Sequence, residues 1–443
     1  MFWQAIHDGM RRHGAAAAIV EAGETTTWDQ LAATTDEIAG QLLPANNQLI
    51  GIAATNVSRQ IAALAAVQQQ GLTPVLLPEF IAGERQNFCH ETNHVGAIIN
   101  DDEVRTVVAG HDMGPPTQND PPADGIVLFT SGTTGSPKPV VHTWHAIAST
   151  VRNDESVQYR RWLLAYHPAT FAGMQVMLQA VLTGGTIVVA ERQQAMLGDQ
   201  VVRDRVEMAS ATPTFWRHLL LATARQQLSA APLRQITLGG EAADQPLLDA
   251  LAETFPASRI THIYASTEMG VCFSVNDGLA GFPADWLENR STPVRLRVSE
   301  SGELEINSPR RMLRYLSREV GTENNEWFRT GDLVEVQGDR VQFAGRRSDT
   351  INVGGAKVMP LRVEKVIRAV AGVSDARVFA VESSLAGQLV SAEVQLEPWQ
   401  DKPSARREIL SACRRELPKH MLPATIDFRS SLTTHQGKAV RGA

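Results

Sequence analysis

Cysteine is scarce in this chain. Cys89, Cys272 and Cys413 are its three cysteines, odd in number and far apart, which excludes a disulfide framework and a clustered metal site. No apolar run reaches the roughly 18 residues that a bilayer crossing requires, so no membrane span is expected. The amino terminus, Met-Phe-Trp-Gln-Ala-Ile-His-Asp, lacks a basic stretch followed by an apolar one and does not read as a signal peptide. A reducing cytoplasm is the expected compartment. Positive charge is not in excess: the net charge is −7, and no recognition motif for nucleic acid is present. A G-x-S-x-G elbow is absent, which argues against a serine hydrolase. Internal repeats and low-complexity tracts are absent as well.

What is present is a long, ordinary globular composition. With 443 residues, 43% hydrophobic and 20% charged, the chain is expected to form two or three lobes around substantial cores. Its charge is uneven. Residues 347–443 carry 15 Lys and Arg against 10 Asp and Glu, a net positive tail on an acidic body. Such a lobe could help meet a phosphorylated ligand, and a solvated face explains it equally well.

Apolar spacing predicts a helix over Trp28–Leu43, a strand at Ile50–Ala54, a helix at Gln60–Gln69 and a strand at Thr73–Leu77. The Ala-rich patches at 14–18 and 62–66 read as helix and core. Residues 114–124 read as a turn-rich connector. Further on come a strand at Trp162–Ala165, a helix at Gly173–Leu182 and a strand at Thr186–Val189. A helix is expected at Val202–Ala209 and another from Pro213, with strands at Ile236–Leu238 and Ile260–Tyr264. Alternation of this kind predicts an α/β fold: a large, multi-lobed N-terminal domain, residues 1–346, with mostly parallel sheets. Beyond it, a helix at Leu361–Val370, strands at Val373–Val381 and Leu389–Gln395, and a helix at Ser404–Glu416 suggest a small α+β C-terminal domain, residues 347–443.

Residues 130–138 read Thr-Ser-Gly-Thr-Thr-Gly-Ser-Pro-Lys, directly after the apolar run Ile126–Phe129. Small residues present backbone N–H groups and hydroxyls to an anion without obstruction, and Lys138 adds a positive charge. The pattern suits a polyphosphate. It is not a Walker A loop, because Pro137 and Pro139 flank the lysine. Strands ending in Gly239-Gly240-Glu241 and in Ala265-Ser266-Thr267-Glu268 supply further loops at sheet edges, where ligands of open α/β sheets bind.

The Thr130–Lys138 loop resembles the phosphate loop of the adenylate-forming superfamily of acyl- and aryl-CoA synthetases, peptide-synthetase adenylation domains and firefly-type luciferases. Other segments resemble that family in order: Ile263–Glu268, Gly302-Glu303-Leu304 with Tyr315, Thr330-Gly331-Asp332, Gly345–Asp349 with Gly354-Gly355, and Gly437-Lys438.

The resemblance implies an enzyme that activates a carboxylic acid with ATP and Mg²⁺, releases pyrophosphate, and passes the acyl group to the thiol of CoA. The acceptor could instead be the phosphopantetheine of an acyl or aryl carrier protein. It implies that Thr130, Ser131, Gly132, Thr133, Thr134, Gly135 and Lys138 hold the β- and γ-phosphates. Thr267 would bind the α-phosphate, beside Ala265 and Ser266, and Glu268 would hold the metal. Gly239, Gly240 and Glu241 would line the adenine pocket, Tyr264 would cover the base, and Asp332 with Arg346 would bind the ribose. Lys438 would be the catalytic cation, on a C-terminal lobe that is mobile about a hinge at Ser348. Gly354, Gly355 and Lys357 would line the thiol tunnel. A homodimer is compatible with the resemblance.

Where amino-acid-activating members carry an Asp, this chain aligns Phe171. An aromatic ring cannot pair an ammonium, so an α-amino acid is not the expected substrate. Thr170, Phe171, Gly173, Met174 and Phe215 suggest an apolar or aromatic acid pocket, and plain core packing is the rival reading of the same residues. The chain departs from the family at His167-Pro168-Ala169-Thr170, at Ala265, at the short stretch Gly281–Pro293, and in a trimmed N-terminal lobe.

Overall fold

The computed structural model describes residues 1–42, 49–81, 95–106, 121–122, 124–130, 137–191, 193–288, 292–316, 326–383, 387–430, 432, 434–435 and 438–439. Most of the expected connector at 114–124 lies outside them.

Two large sheets form the body. One has eight strands, in the order Gly270–Val275, Arg259–Ser266, Gln235–Gly239, Met208–Ala211, Arg161–Leu164, Thr186–Val189, Ala17–Glu21 and Glu24–Thr27. The other has seven: Arg314–Tyr315, Pro139–Thr143, Gly125–Phe129, Thr73–Leu76, Leu49–Ile52, Val95–Ile99 and Val104–Thr106. In the eight-stranded sheet the inner pairings are parallel and the two outermost antiparallel; in the seven-stranded one Gly125–Phe129, Thr73–Leu76, Leu49–Ile52 and Val95–Ile99 pair in parallel and the flanking pairings are antiparallel. Buried on both faces, the inner strands are continuous apolar runs such as Gly125–Phe129.

The helix Val57–Gln69 lies between these sheets, touching Ala17–Glu21 of one and both Leu49–Ile52 and Thr73–Leu76 of the other. Its residues Ile61–Val67 are all fully buried. Alanines at 62, 63, 65 and 66 let the layers approach, while Ile61, Leu64 and Val67 each contribute about 1.5–3 kcal/mol by leaving water. The patch at 62–66 is therefore helix and core. The patch at 14–18 is not helical: Gly14 ends the helix Phe2–His13 and the chain turns into the strand Ala17–Glu21.

A second correction concerns Val202–Ala209. The helix is Gln194–Arg203, and Met208–Ala211 is a strand with parallel partners on both sides. Arg205, at a φ of 49°, reverses the chain between them. Elsewhere the expected elements are found with ends shifted by a few residues, among them the helices Trp28–Gln41, Phe171–Leu182 and Pro213–Ala222. No helix among the described residues is long and apolar enough to cross a membrane.

A third sheet is wholly antiparallel: Phe282–Pro283, Arg340–Arg346, Phe328–Gln337, Glu303–Asn307 and Arg295–Val298. After the short turn Arg347–Asp349 the chain enters a separate sheet of Ala356–Val358, Ile351–Val353, Gly387–Leu396 and Val373–Ser383, with Thr425–Arg429 alongside Gly387–Leu396. The helices Pro360–Arg368 and Lys402–Glu416 cover it through Val363, Ile367, Ile409 and Cys413.

Charge joins this small unit to the body. Arg368 donates to Asp375 at 2.7 Å and to the Ala376 carbonyl at 2.6 Å, with Glu364 at 3.3 Å. Asp244, capping the helix Gln245–Thr254, lies 2.5 Å from Arg217 and 4.0 Å from Arg368. Burial alone would raise the Asp375 pKa, but Arg368 and Arg217 outweigh it and hold it below the usual carboxylate range. Arg368→Met removes the nearest cation from two buried carboxylates, Asp375 and Glu364, and should lower unfolding stability by about 3–5 kcal/mol at neutral pH. Urea titration checks this. Because the folded pKa of Asp375 is depressed, that contribution is present above about pH 4 and fades as pH falls below it. The parent–variant difference should therefore shrink in acid.

Candidate active site

The phosphate-loop candidate is the tip of a hairpin. Gly125–Phe129 and Pro139–Thr143 pair antiparallel, with Phe129 opposite Pro139. At its mouth Thr130 N–H donates to the Lys138 carbonyl at 3.0 Å, and Lys138 N–H donates to Thr130 Oγ1 at 3.0 Å. The Thr130 side chain thus closes the loop. Ser131, Gly132, Thr133, Thr134 and Gly135 lie outside the described residues. Lys138 Nζ stands 5.6 Å from the centre of the Tyr315 ring, within cation–π range.

Facing this hairpin is the turn between Arg259–Ser266 and Gly270–Val275. Ser266 Oγ accepts from Met269 N–H at 3.1 Å and shapes the turn. The Thr267 carbonyl accepts from His142 Nε2 at 2.5 Å, and the Glu268 carbonyl accepts from Met312 N–H at 2.7 Å. Opposite a carbonyl, Nε2 must carry the proton. Burial lowers the His142 pKa, and the Thr267 carbonyl only partly opposes that, so the ring is held neutral. Arg314–Tyr315 pairs with the hairpin, placing Tyr315 opposite Val140. The Tyr315 hydroxyl donates to the Glu268 carboxylate. Burial, with the Glu268 charge and hydrogen bond added, pushes its pKa up to about 12.

A second group gathers at Asp332. Tyr264 Oη donates to Asp332 Oδ2 at 2.5 Å and Arg346 Nε donates to Oδ1 at 3.0 Å. Asp332 lies opposite Arg346 across two strands. Burial, then Asp332, drives the Tyr264 pKa well up. The Tyr264 ring stacks with Phe273 and with Phe343, centroids 5.2 and 5.3 Å away. Glu303 supports the neighbouring loop from below. Fully buried, it accepts from Gly331 N–H at 2.9 Å, Arg329 at 2.8 Å and Arg347 at 2.8 Å.

The Gly239-Gly240-Glu241 turn is held by Tyr166, whose hydroxyl donates to the Gly239 carbonyl at 3.2 Å. Gly240 has a φ of 83°, a conformation that favours glycine. Glu241 Oε2 accepts from Thr214 N–H at 3.0 Å and Thr214 Oγ1 at 2.7 Å, anchoring the helix Pro213–Ala222 to the turn. The backbone of Lys438–Ala439, paired with Thr434–His435, lies beside that same helix.

Thr170 caps the helix Phe171–Leu182 by accepting from Gly173 N–H at 3.2 Å, so the helix starts two residues before the expected Gly173. Gly173 packs against the chain before it: a Cβ there would stand 2.2 Å from the His167 carbonyl oxygen. Phe171 and Met174 are buried in the main core, with Phe171 6.0 Å from the His142 ring. Phe215 is only partly buried and meets Trp216 edge to face.

Ser348 sits in the turn Arg347–Asp349, and its hydroxyl donates to Asp349 Oδ1 at 2.9 Å. Gly354 and Gly355 form the reversal between Ile351–Val353 and Ala356–Val358, with φ of 57° and 89°, and Lys357 is exposed. Among the described residues no hydrogen bond joins this hairpin turn to the Glu268 or Asp332 groups.

Five contributors escape a reading of the sequence. His142 is the one polar side chain in the buried centre of Pro139–Thr143, a weak signal. Glu303 and Tyr315 fall in segments whose order is recognisable, but nothing local gives their partners. Phe273 and Phe343 read as ordinary core.

The sequence pattern of the AMP-binding enzyme family matches residues 6–316, and that of the AMP-binding enzyme C-terminal domain matches residues 362–438. The 2-succinylbenzoate–CoA ligase of Bacillus subtilis is 26% identical over 92% of this chain and 90% of its own length. The long-chain-fatty-acid–CoA ligase FadD13 of Mycobacterium tuberculosis is 27% identical over 69% of this chain and 64% of its own. Among solved structures, the o-succinylbenzoate coenzyme A synthetase of Bacillus subtilis in complex with ATP and magnesium ion superposes with a TM-score of 0.70. That match spans 99% of this chain and 98% of that one at 22% identity, a likeness of fold.

Proposed function

Because the chain belongs to the AMP-binding enzymes, we propose that it is an AMP-forming acid–thiol ligase acting on an apolar or aromatic carboxylic acid, with CoA as acceptor. A carboxylate oxygen of the acid attacks the α-phosphorus of ATP. The bond from that phosphorus to the bridging oxygen breaks and pyrophosphate leaves. The CoA sulfur then attacks the acyl carbon, its proton passes to water, and AMP departs with the C–O electron pair.

The first step brings two anions together, so its catalysis is positioning and charge neutralisation. Thr130, Lys138 and the loop between them hold the β- and γ-phosphates, and Thr267 holds the α-phosphate. Asp332 and Arg346 take the ribose, and the Gly239–Glu241 turn takes the adenine. Lys438 reaches the reacting oxygens from a C-terminal lobe, residues 347–443, that turns about Ser348 between the two steps. The proximity of the Lys438–Ala439 backbone to the helix anchored by Glu241 supports this for the first step. Among the described residues no group of three or more His, Cys, Asp or Glu could hold a metal ion. Glu268 is a single carboxylate beside a phosphate hairpin, and that fits Mg²⁺, which keeps its waters and takes phosphate oxygens as ligands. When bound, the ion neutralises phosphate charge.

One observation supports the reading: the loop cation Lys138, over the ring, and the acid Glu268, at the hydroxyl, both meet one tyrosine, Tyr315. A pyrophosphate-release screen over aryl, short-chain and long-chain acids, with and without CoA, tests it. Acid-dependent release and an acyl-CoA product by mass spectrometry are expected. Release that no acid stimulates would refute it.

A further inference from the structure

We infer that Tyr315 is a positioning residue that sets the metal acid Glu268 and the loop cation Lys138 at the same time. The inference rests on the proposed roles of those two residues and adds a third that touches neither substrate.

The geometry is two-sided. The Tyr315 hydroxyl donates to the Glu268 carboxylate, and the Lys138 ammonium stands 5.6 Å from the centre of the same ring. Tyr315 is itself fixed by main-chain bonds. It pairs with Val140, while Leu313 N–H donates to the Val141 carbonyl at 2.8 Å and Leu316 N–H to the Pro139 carbonyl at 2.9 Å. Met312 N–H donates to the Glu268 carbonyl at 2.7 Å. The strap Met312–Leu316 therefore ties the hairpin to the metal-acid turn, and Tyr315 is the side chain that repeats the tie. A hydrogen bond from a neutral phenol fixes one carboxylate oxygen and leaves the other for a cation. Partners of this kind are worth about 10–100-fold in metal affinity. The ring face does separate work by restricting the Lys138 ammonium, and cation–π contacts at such sites are worth about 2–5-fold.

The test separates the two faces by binding, not turnover. Free Mn²⁺ is counted by electron paramagnetic resonance in the presence of a non-hydrolysable ATP analogue, for the parent, Tyr315→Phe, Tyr315→Leu and Glu268→Gln. Tyr315→Phe should weaken Mn²⁺–nucleotide binding about tenfold with the urea midpoint unchanged. In EDTA, Tyr315→Phe should bind the analogue like the parent, and Tyr315→Leu about 2–5-fold more weakly. If Glu268→Gln loses Mn²⁺ while Tyr315→Phe binds it like the parent, the Tyr315 role is overturned and the Glu268 role stands. If Glu268→Gln also binds Mn²⁺ like the parent, the metal-acid reading fails, and this inference with it.

Discussion

Lys438→Ala should slow adenylate formation by about 10²–10³-fold, the scale for removing one donor aimed at developing charge. The same variant should form thioester from a supplied acyl-adenylate at close to the parent rate. The asymmetry follows from the chemistry. In the first step the entering oxygen is anionic and the phosphate oxygens gain charge, so a cation reaching both lowers the barrier. In the second a neutral or singly charged sulfur meets an acyl carbon already activated by AMP. The backbone of Lys438 lies beside Pro213–Ala222, the helix whose first turn Glu241 holds. Equal loss in both steps would mean that Lys438 supports the lobe and not the reaction. Single-turnover assays of each step, started from ATP plus acid and from synthetic adenylate, distinguish the two.

Asp332→Asn should raise the KM for ATP by about 10–100-fold, and leave the KM for the acid unchanged. The parent carboxylate takes donors on both oxygens, Tyr264 at 2.5 Å and Arg346 at 3.0 Å. An amide offers one oxygen and turns an N–H₂ toward the other donor. Hydrogen bonds to charged groups are worth about 1.5–3 kcal/mol each, which is the source of that range. The variant also removes the charged partner of Arg346 Nε, so the ribose would lose the carboxylate and the guanidinium's ion pair with it together. A parent-like KM for ATP, from initial rates of pyrophosphate release, would remove Asp332 from the nucleotide site.

Much of this arrangement was legible in the residues because its signals are local. A polyphosphate loop needs small residues and a cation in sequence, and Thr130–Lys138 has both. A parallel strand buried on both faces reads as an apolar run, as at Gly125–Phe129. Turn chemistry was equally plain at Gly239-Gly240 and Gly354-Gly355. The failures are non-local. Val201, Val202, Val206 and Met208 are spaced for a helix, but Met208–Ala211 gains a parallel partner on each side, and those partners are about 45 and 25 residues away in the chain. The antiparallel sheet carrying Glu303 and Asp332 has no plain apolar signature: Phe328–Gln337 and Arg340–Arg346 are polar and partly exposed, and the buried strand Glu303–Asn307 carries two glutamates. Tyr315 was visible as a landmark, yet its contact with Glu268 exists only because the strap Met312–Leu316 folds back across the hairpin. Met174 and Phe171, whose apolar character suits an acid pocket and core packing alike, are buried in the main core.

The central claim is that an organic acid, before any thiol is involved, is joined to the AMP part of ATP. Exchange of radiolabelled pyrophosphate into ATP measures that step alone. The account predicts exchange that requires both Mg²⁺ and a carboxylic acid, proceeds without CoA, and falls by about 10²–10³-fold in Lys438→Ala. Exchange absent with every acid class, or cleavage of ATP to ADP and phosphate in its place, would contradict it.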